Sequence, residues 1–192
     1  MKRLVSLLLL AAAINASAAP ALKSGVFAPP RAAPDLHTLA SSRGQPLRLA
    51  EERGKLVLLV FGYTHCPAVC PTTLASLAEA RARLGADAAR VQVVFVTVDP
   101  GRDSVAHLRA YLAQFDPSFV GLTGSAQQVA AVLASYGISA SKQPMADGEY
   151  AMAHSSYLYF VDRKGMLRAM LPFGRPAADI AHDARLLLGE GT

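Results

Sequence analysis

Two short apolar runs set the frame of the chain. Leu56-Val57-Leu58-Leu59-Val60 is unbroken, and Val91 to Val98 is apolar apart from Gln92 and Thr97. Runs of this length without alternation predict strands covered on both faces. Between and after them the apolar period changes to that of a helix. Leu74, Leu77 and Leu84 share one face of a helix over about 71–84, with Pro71 suited to its first position. Val105, Leu108, Leu112 and Phe115 form the face of a second helix, capped by Asp103 or Ser104. Phe119 to Leu122 predicts a short third strand. Ser125 with Gln128 three residues on is a capping-box signature for a helix carrying Val129, Val132, Leu133 and Tyr136, and Gly137 is a natural stop. Ser156–Val161 and Met166–Pro172 flank Asp162-Arg163-Lys164-Gly165, a hairpin signal. Pro176 then opens a last helix with Ile180, Ala184, Leu187 and Leu188 on one face.

This order, β-α-β-α-(β)-α-β-β-α, has parallel crossovers first and an antiparallel hairpin last. It is the layout of an α/β, thioredoxin-like fold: a central mixed β-sheet flanked by helices on both faces. Three segments lack a clear period. Residues 19–34 are rich in Ala and Pro and read as an extended linker. Residues 35–49 are weakly strand-like, with a turn at Ser42-Arg43-Gly44, and suggest a short hairpin covering one sheet edge. Residues 139–153, with Pro144 and Gly148, read as a long loop, and long loops in compact domains are often functional.

The 192 residues, 52% of them hydrophobic, suit a single domain over 35–192. The first 18 residues stand apart. Lys2-Arg3, the apolar run Leu4 to Ile14 and Ala16-Ser17-Ala18 have the three parts of a signal peptide. The expectation is an exported, periplasmic protein. An uncleaved leader tethering it to the membrane is the alternative, although the run is shorter than the roughly 20 residues a spanning helix needs. The net charge of +5 falls to +3 without Lys2 and Arg3, with 17 basic against 14 acidic residues. Those charges are scattered, with no Lys/Arg run interleaved with aromatics, so nucleic-acid binding has no support.

The chain has two cysteines, Cys66 and Cys70, at the junction between the first buried strand and the helix after it. A spacing of four is about one helical turn, so both sulfurs can face one side. The helix N-terminus favours thiolate there. Such a pair can close a disulfide or chelate a soft metal. Two small buried hydrophobes are the plainer alternative. In an oxidising compartment a structural disulfide is the default, but one closing so short a loop gains little stability. Redox or metal chemistry is the stronger account.

The segment Gly62-Tyr63-Thr64-His65-Cys66-Pro67-x-Val69-Cys70-Pro71-Thr72 resembles the signature of the SCO/SenC family of thioredoxin-like copper proteins. Val98-Asp99-Pro100-x-Arg102-Asp103, Tyr111-Leu112 through Phe119-Gly121-Leu122-Thr123-Gly124, and His154-Ser155-Ser156 before Tyr159-Phe160-Val161-Asp162 are similar to further family segments in the right order. The resemblance implies copper, as Cu(I) or Cu(II), held by Cys66, Cys70 and His154. Cys66 and Cys70 would also be its redox-active pair. It implies a metallochaperone serving the CuA site of cytochrome c oxidase, with the CuA-bearing subunit or another copper chaperone as partner and a thiol reductant protein to keep the cysteines reduced. Ala68 stands where the family commonly has Asp, and Ala153 where it often has an acidic or polar residue. The alternatives are a periplasmic thiol–disulfide oxidoreductase that reduces partner cysteines before metallation, and a copper or redox sensor. Among other residues, His65 suits a structural or electrostatic role more than ligation, His37, His107 and His182 default to the surface, and Met145 and Met152 to packing. Asp99 is read at most as a buried acid supporting the loop through Arg102 or another cation.

Overall fold

The computed structural model describes residues 21–146 and 148–189. The expected leader lies outside them. Among the described residues no helix is long and apolar enough to cross a membrane.

The described residues form nine strands: β1 Gly25–Ala32, β2 Ala40–Ser41, β3 Leu56–Gly62, β4 Val91–Thr97, β5 Val120–Thr123, β6 Ala140–Pro144, β7 Tyr150–His154, β8 Tyr157–Val161 and β9 Met166–Pro172. Among the described residues four α-helices accompany them: α1 Val69–Leu84, α2 Val105–Ala113, α3 Ala126–Tyr136 and α4 Ala177–Gly189. Seven strands form one sheet in the order β1-β9-β8-β3-β4-β5-β2. β3, β4 and β5 run parallel, and β8 pairs antiparallel with β3. This is the mixed sheet of a thioredoxin-like fold.

Alternation along β3 explains the two layers. Leu56, Leu58 and Val60 face one side with Leu74, Leu77, Leu108, Ile180 and Leu187, so α1, α2 and α4 cover that face. Val57, Leu59 and Phe61 face the other, with Val129, Val132, Leu133 and Tyr136 of α3. Every residue of β3 and β4 is buried, as their largely apolar runs lead one to expect, and in β4 this includes Gln92 and Thr97. Truncating a side chain such as Leu58 to Ala would cost about 2–5 kcal/mol.

The capping signals hold in detail. The Ser125 side chain accepts from the Gln128 N–H while Gln128 Oε1 accepts from the Ser125 N–H, and Gly137 ends α3 in the left-handed region at φ 70°. Ser104, not Asp103, caps α2.

Three expectations are corrected. The stretch read as an Ala/Pro linker is, over Gly25–Ala32, the edge strand β1, antiparallel to β9. Its register shifts between Val26 and Arg31, which accommodates Pro29 and Pro30, and its outer edge needs no ladder donors. The segment over 35–49 is not a hairpin. It contributes only the two-residue β2 to the far edge of the sheet and buries Leu36, Leu39, Leu47 and Leu49 against the α3 side. The long loop over 139–153 is instead the two-stranded hairpin β6–β7, outside the main sheet.

Candidate metal centre

Cys66 and Cys70 lie where β3 passes into α1. The helix begins at Val69, two residues earlier than expected, so Cys70 belongs to its first turn. Ala68 at the N-cap offers no side-chain acceptor. The Cys66 sulfur takes that place, accepting the Cys70 N–H at 3.4 Å. Both cysteines are free, Cys66 half-buried and Cys70 buried. Gly62 makes room for them: a Cβ there would lie 2.8 Å from Cys70 Sγ and 3.0 Å from the Phe95 ring.

The two thiols differ sharply. Burial pushes the Cys66 thiol up, but the N–H groups of Cys70, Ala68 and Val69 and the Cys70 thiol outweigh it, so its pKa falls below the ordinary value. Burial pushes Cys70 up to about 12, helped by the charge of a Cys66 thiolate and of Asp103 and opposed by the Tyr63 N–H. The helix terminus thus favours one thiolate rather than two.

His154 is the last residue of β7, paired in register with Ala140. Its imidazole meets the Tyr63 ring edge-on, centroids 6.0 Å apart. Tyr63 in turn follows Gly62 at the end of β3 and packs in the same cluster as Cys70. Tyr63 thus touches the histidine with its ring and belongs to the packed layer that holds Cys70. The Nδ1 of His154 lies 2.9 Å from the Ser155 carbonyl, an acceptor, so Nδ1 carries the proton and Nε2 keeps its lone pair. Burial lowers the His154 pKa, against the Ser155 hydrogen bond, and favours this neutral form. Two sulfur donors and one imidazole lone pair are a donor set suited to Cu(I), and to Cu(II) as well.

The hairpin that carries His154 is fastened by a buried ion pair. Arg102 Nε bonds Asp99 Oδ2 at 2.5 Å, and its Nη1 donates to the Tyr150 carbonyl at 3.0 Å. The Tyr150 hydroxyl closes the circuit on Asp99 Oδ1 at 2.9 Å, and the guanidinium lies 3.8 Å over the Tyr150 ring. Asp99 thus supports the hairpin through Arg102. Met152 packs its side chain against the buried cluster that contains Cys70, as Cys66 does, while Met145 is exposed in the turn.

The other histidines are distributed less evenly than expected. His37 pairs with Asp35 and His182 with Asp183, both away from the cysteines. His107 is exposed, yet it reaches across to Thr64 and lies beside His65. Nothing local in the sequence links residues 65 and 107; only the approach of α2 to the end of β3 does.

The fold is thioredoxin-like, with two free thiols at the junction of β3 and α1 and an imidazole against the ring of Tyr63. Residues 31–189 match the family described as SCO1/SenC, and the chain belongs to that family. It is 38% identical over 151 residues to the mitochondrial SCO2 homolog of Mus musculus, covering 77% of this chain and 59% of that protein. It thus spans about three fifths of that relative. Among solved structures, Bradyrhizobium japonicum ScoI with copper bound is 35% identical with a TM-score of 0.71, covering 87% of this chain and 99% of that one. Apo Sco1 from Thermus thermophilus is 32% identical with a TM-score of 0.77, covering 89% and 99% respectively.

Proposed function

We propose that this protein is a copper-binding metallochaperone that holds copper through Cys66, Cys70 and His154 and delivers it to the CuA site of cytochrome c oxidase. The observation that carries the reading is the donor set itself. A low-pKa thiol and a buried thiol share the head of α1, and against the Tyr63 ring an imidazole presents an unprotonated Nε2. The copper-bound Bradyrhizobium relative supports copper as the cargo. Ligand exchange would begin at Cys66, the less buried donor, with an incoming thiolate displacing it before Cys70. Oxidation of the pair to a disulfide removes both sulfur ligands, so a thiol reductant partner governs loading. A leader over residues 1–18, cleaved or retained as a membrane tether, would put the protein in the periplasm or at its membrane.

The unequal thiols favour a second reading, a thiol–disulfide oxidoreductase that reduces the acceptor's cysteines. An accessible low-pKa sulfur beside a buried resolving one is the arrangement such exchange uses. One experiment separates the two. The copper-loaded reduced protein is mixed with a reduced, metal-free CuA domain, and the copper-free reduced protein with the same domain oxidised. Copper found on the CuA domain after the two proteins are separated and each is assayed for the metal supports the chaperone. Dithiol formation in the second, without copper transfer in the first, supports the oxidoreductase.

A further inference from the structure

A second cluster of ligand-type side chains lies beside the cysteines and shares no residue with their site. His65, Asp103 and His107 each offer one donor atom, and the three atoms lie within 4.8 Å of one another. They come from different places: His65 from the turn after β3, Asp103 from the loop before α2, and His107 from the first turn of α2. Both histidines are exposed, with ring centroids 6.0 Å apart and planes inclined by 35°. Asp103 is fully buried behind them.

Thr64 sits at the centre. Its hydroxyl donates to Asp103 Oδ1 at 2.5 Å, and the same oxygen lies 3.1 Å from His65 Nδ1 and 2.9 Å from His107 Nε2. A hydroxyl has one proton, and here the carboxylate takes it. Both imidazole nitrogens must then donate to Thr64. Moving each ring proton to the opposite nitrogen turns the same two atoms into lone-pair donors converging on one point. Asp103 cannot swing away, because Oδ2 is fixed by the Thr97 hydroxyl at 2.6 Å and the Thr64 N–H at 3.1 Å. The carboxylate is anchored behind two exposed imidazoles.

We propose that His65, His107 and Asp103 form an accessory site for a borderline divalent cation, with Cu(II) the strongest binder. Two imidazoles and a carboxylate suit such ions, and among first-row divalent metals Cu(II) binds nitrogen and oxygen sites tightest. The Thr64 hydroxyl gives up the point of convergence by rotating towards solvent, and Asp103 Oδ1 becomes the third ligand. The donor set contains no sulfur, so its preference is opposite to that of the thiol pair. Because His65 adjoins Cys66, an oxidised copper ion held here would lie next to the thiol site. The inference stands apart from the chaperone reading, since its test removes that site altogether.

The test is a Cu(II) titration of the Cys66→Ser/Cys70→Ser/His154→Ala variant, followed by electron paramagnetic resonance and by competition with a weak chelator. The expected result is one bound equivalent with a nitrogen-rich, sulfur-free spectrum. Adding His107→Ala should weaken that binding at least tenfold, and adding His65→Ala instead should do the same. Circular dichroism of each variant confirms that the fold persists: His65 and His107 are exposed, and serine at position 70 keeps nearly the size of the buried cysteine. The proposal is overturned if the triple variant binds no Cu(II), or if its bound Cu(II) is indifferent to His107→Ala.

Discussion

The Cys70 N–H points at the Cys66 sulfur from 3.4 Å, while the Cys70 thiol lies buried in the same turn. One sulfur therefore acts as the cap of α1 and the other as part of its packed face. Alkylation of the reduced protein should be selective as a result. Below about pH 9, iodoacetamide should modify Cys66 at least tenfold faster than Cys70, because thiolate is the reactive form. The Cys66 rate should reach half-maximum at a lower pH than a free cysteine does. Peptide mapping by mass spectrometry checks both points.

Ala68 leaves that cap position to the sulfur. Ala68→Asp should raise the Cys66 pKa, since a carboxylate beside the thiolate repels it and competes for the same N–H groups. Slower alkylation of Cys66 at neutral pH is the expected outcome. The pH dependence of the thiolate absorbance near 240 nm measures the shift independently.

The pairing of Asp99 with Arg102 predicts a distinctive stability pattern. Arg102→Met strands a carboxylate that is 1% exposed, and losing one partner of a buried pair costs about 3–5 kcal/mol. Asp99→Asn/Arg102→Met should recover much of that loss, because neither charge is then left alone. Denaturant unfolding gives the stabilities. Hydrogen exchange should also show the β6–β7 amides opening faster in Arg102→Met, as the guanidinium holds the Tyr150 carbonyl.

Glu52 supplies a pH dependence. Burial pushes its carboxyl up, but bonds from Arg43 and Lys55 outweigh this and hold its pKa below the usual range. Its folded pKa lies below the unfolded one, so its stabilisation is full above the unfolded value and fades as pH falls through the folded one. Glu52→Gln should lower stability near neutral pH by about 1–2 kcal/mol, the scale of charge-assisted hydrogen bonds. It should also flatten the loss of stability between about pH 5 and pH 3. Thermal melts across that range test both effects.

Much of this architecture is legible in the sequence because it rests on local signals. The apolar runs at Leu56 and Val91, short and rich in β-branched residues, read as doubly covered strands, and Ser125 with Gln128 marks the start of α3 to the residue. The misread segments lack such signals for physical reasons. In β1 the side chains are almost all exposed and two prolines interrupt the register, which an edge strand tolerates and a pattern search rejects. β6 is nearly all exposed and joins no main-sheet face, so no apolar period betrays it. The cysteine pair is readable from its spacing, whereas the difference between its two thiols is not. That difference comes from the helix starting at Val69, which aims three N–H groups at Cys66 and buries Cys70. The meeting of His65 with His107 depends on tertiary structure alone.

The central claim is that Cys66, Cys70 and His154 together hold copper. Anaerobic Cu(I) titration of the reduced protein against a strong chelating indicator tests it most directly. The account predicts one equivalent bound by the unsubstituted protein, none by Cys66→Ser/Cys70→Ser, and binding weakened at least tenfold by His154→Ala. An unsubstituted protein that leaves the indicator fully loaded while readily reducing protein disulfides would contradict it, as would Cu(I) affinity unchanged by His154→Ala.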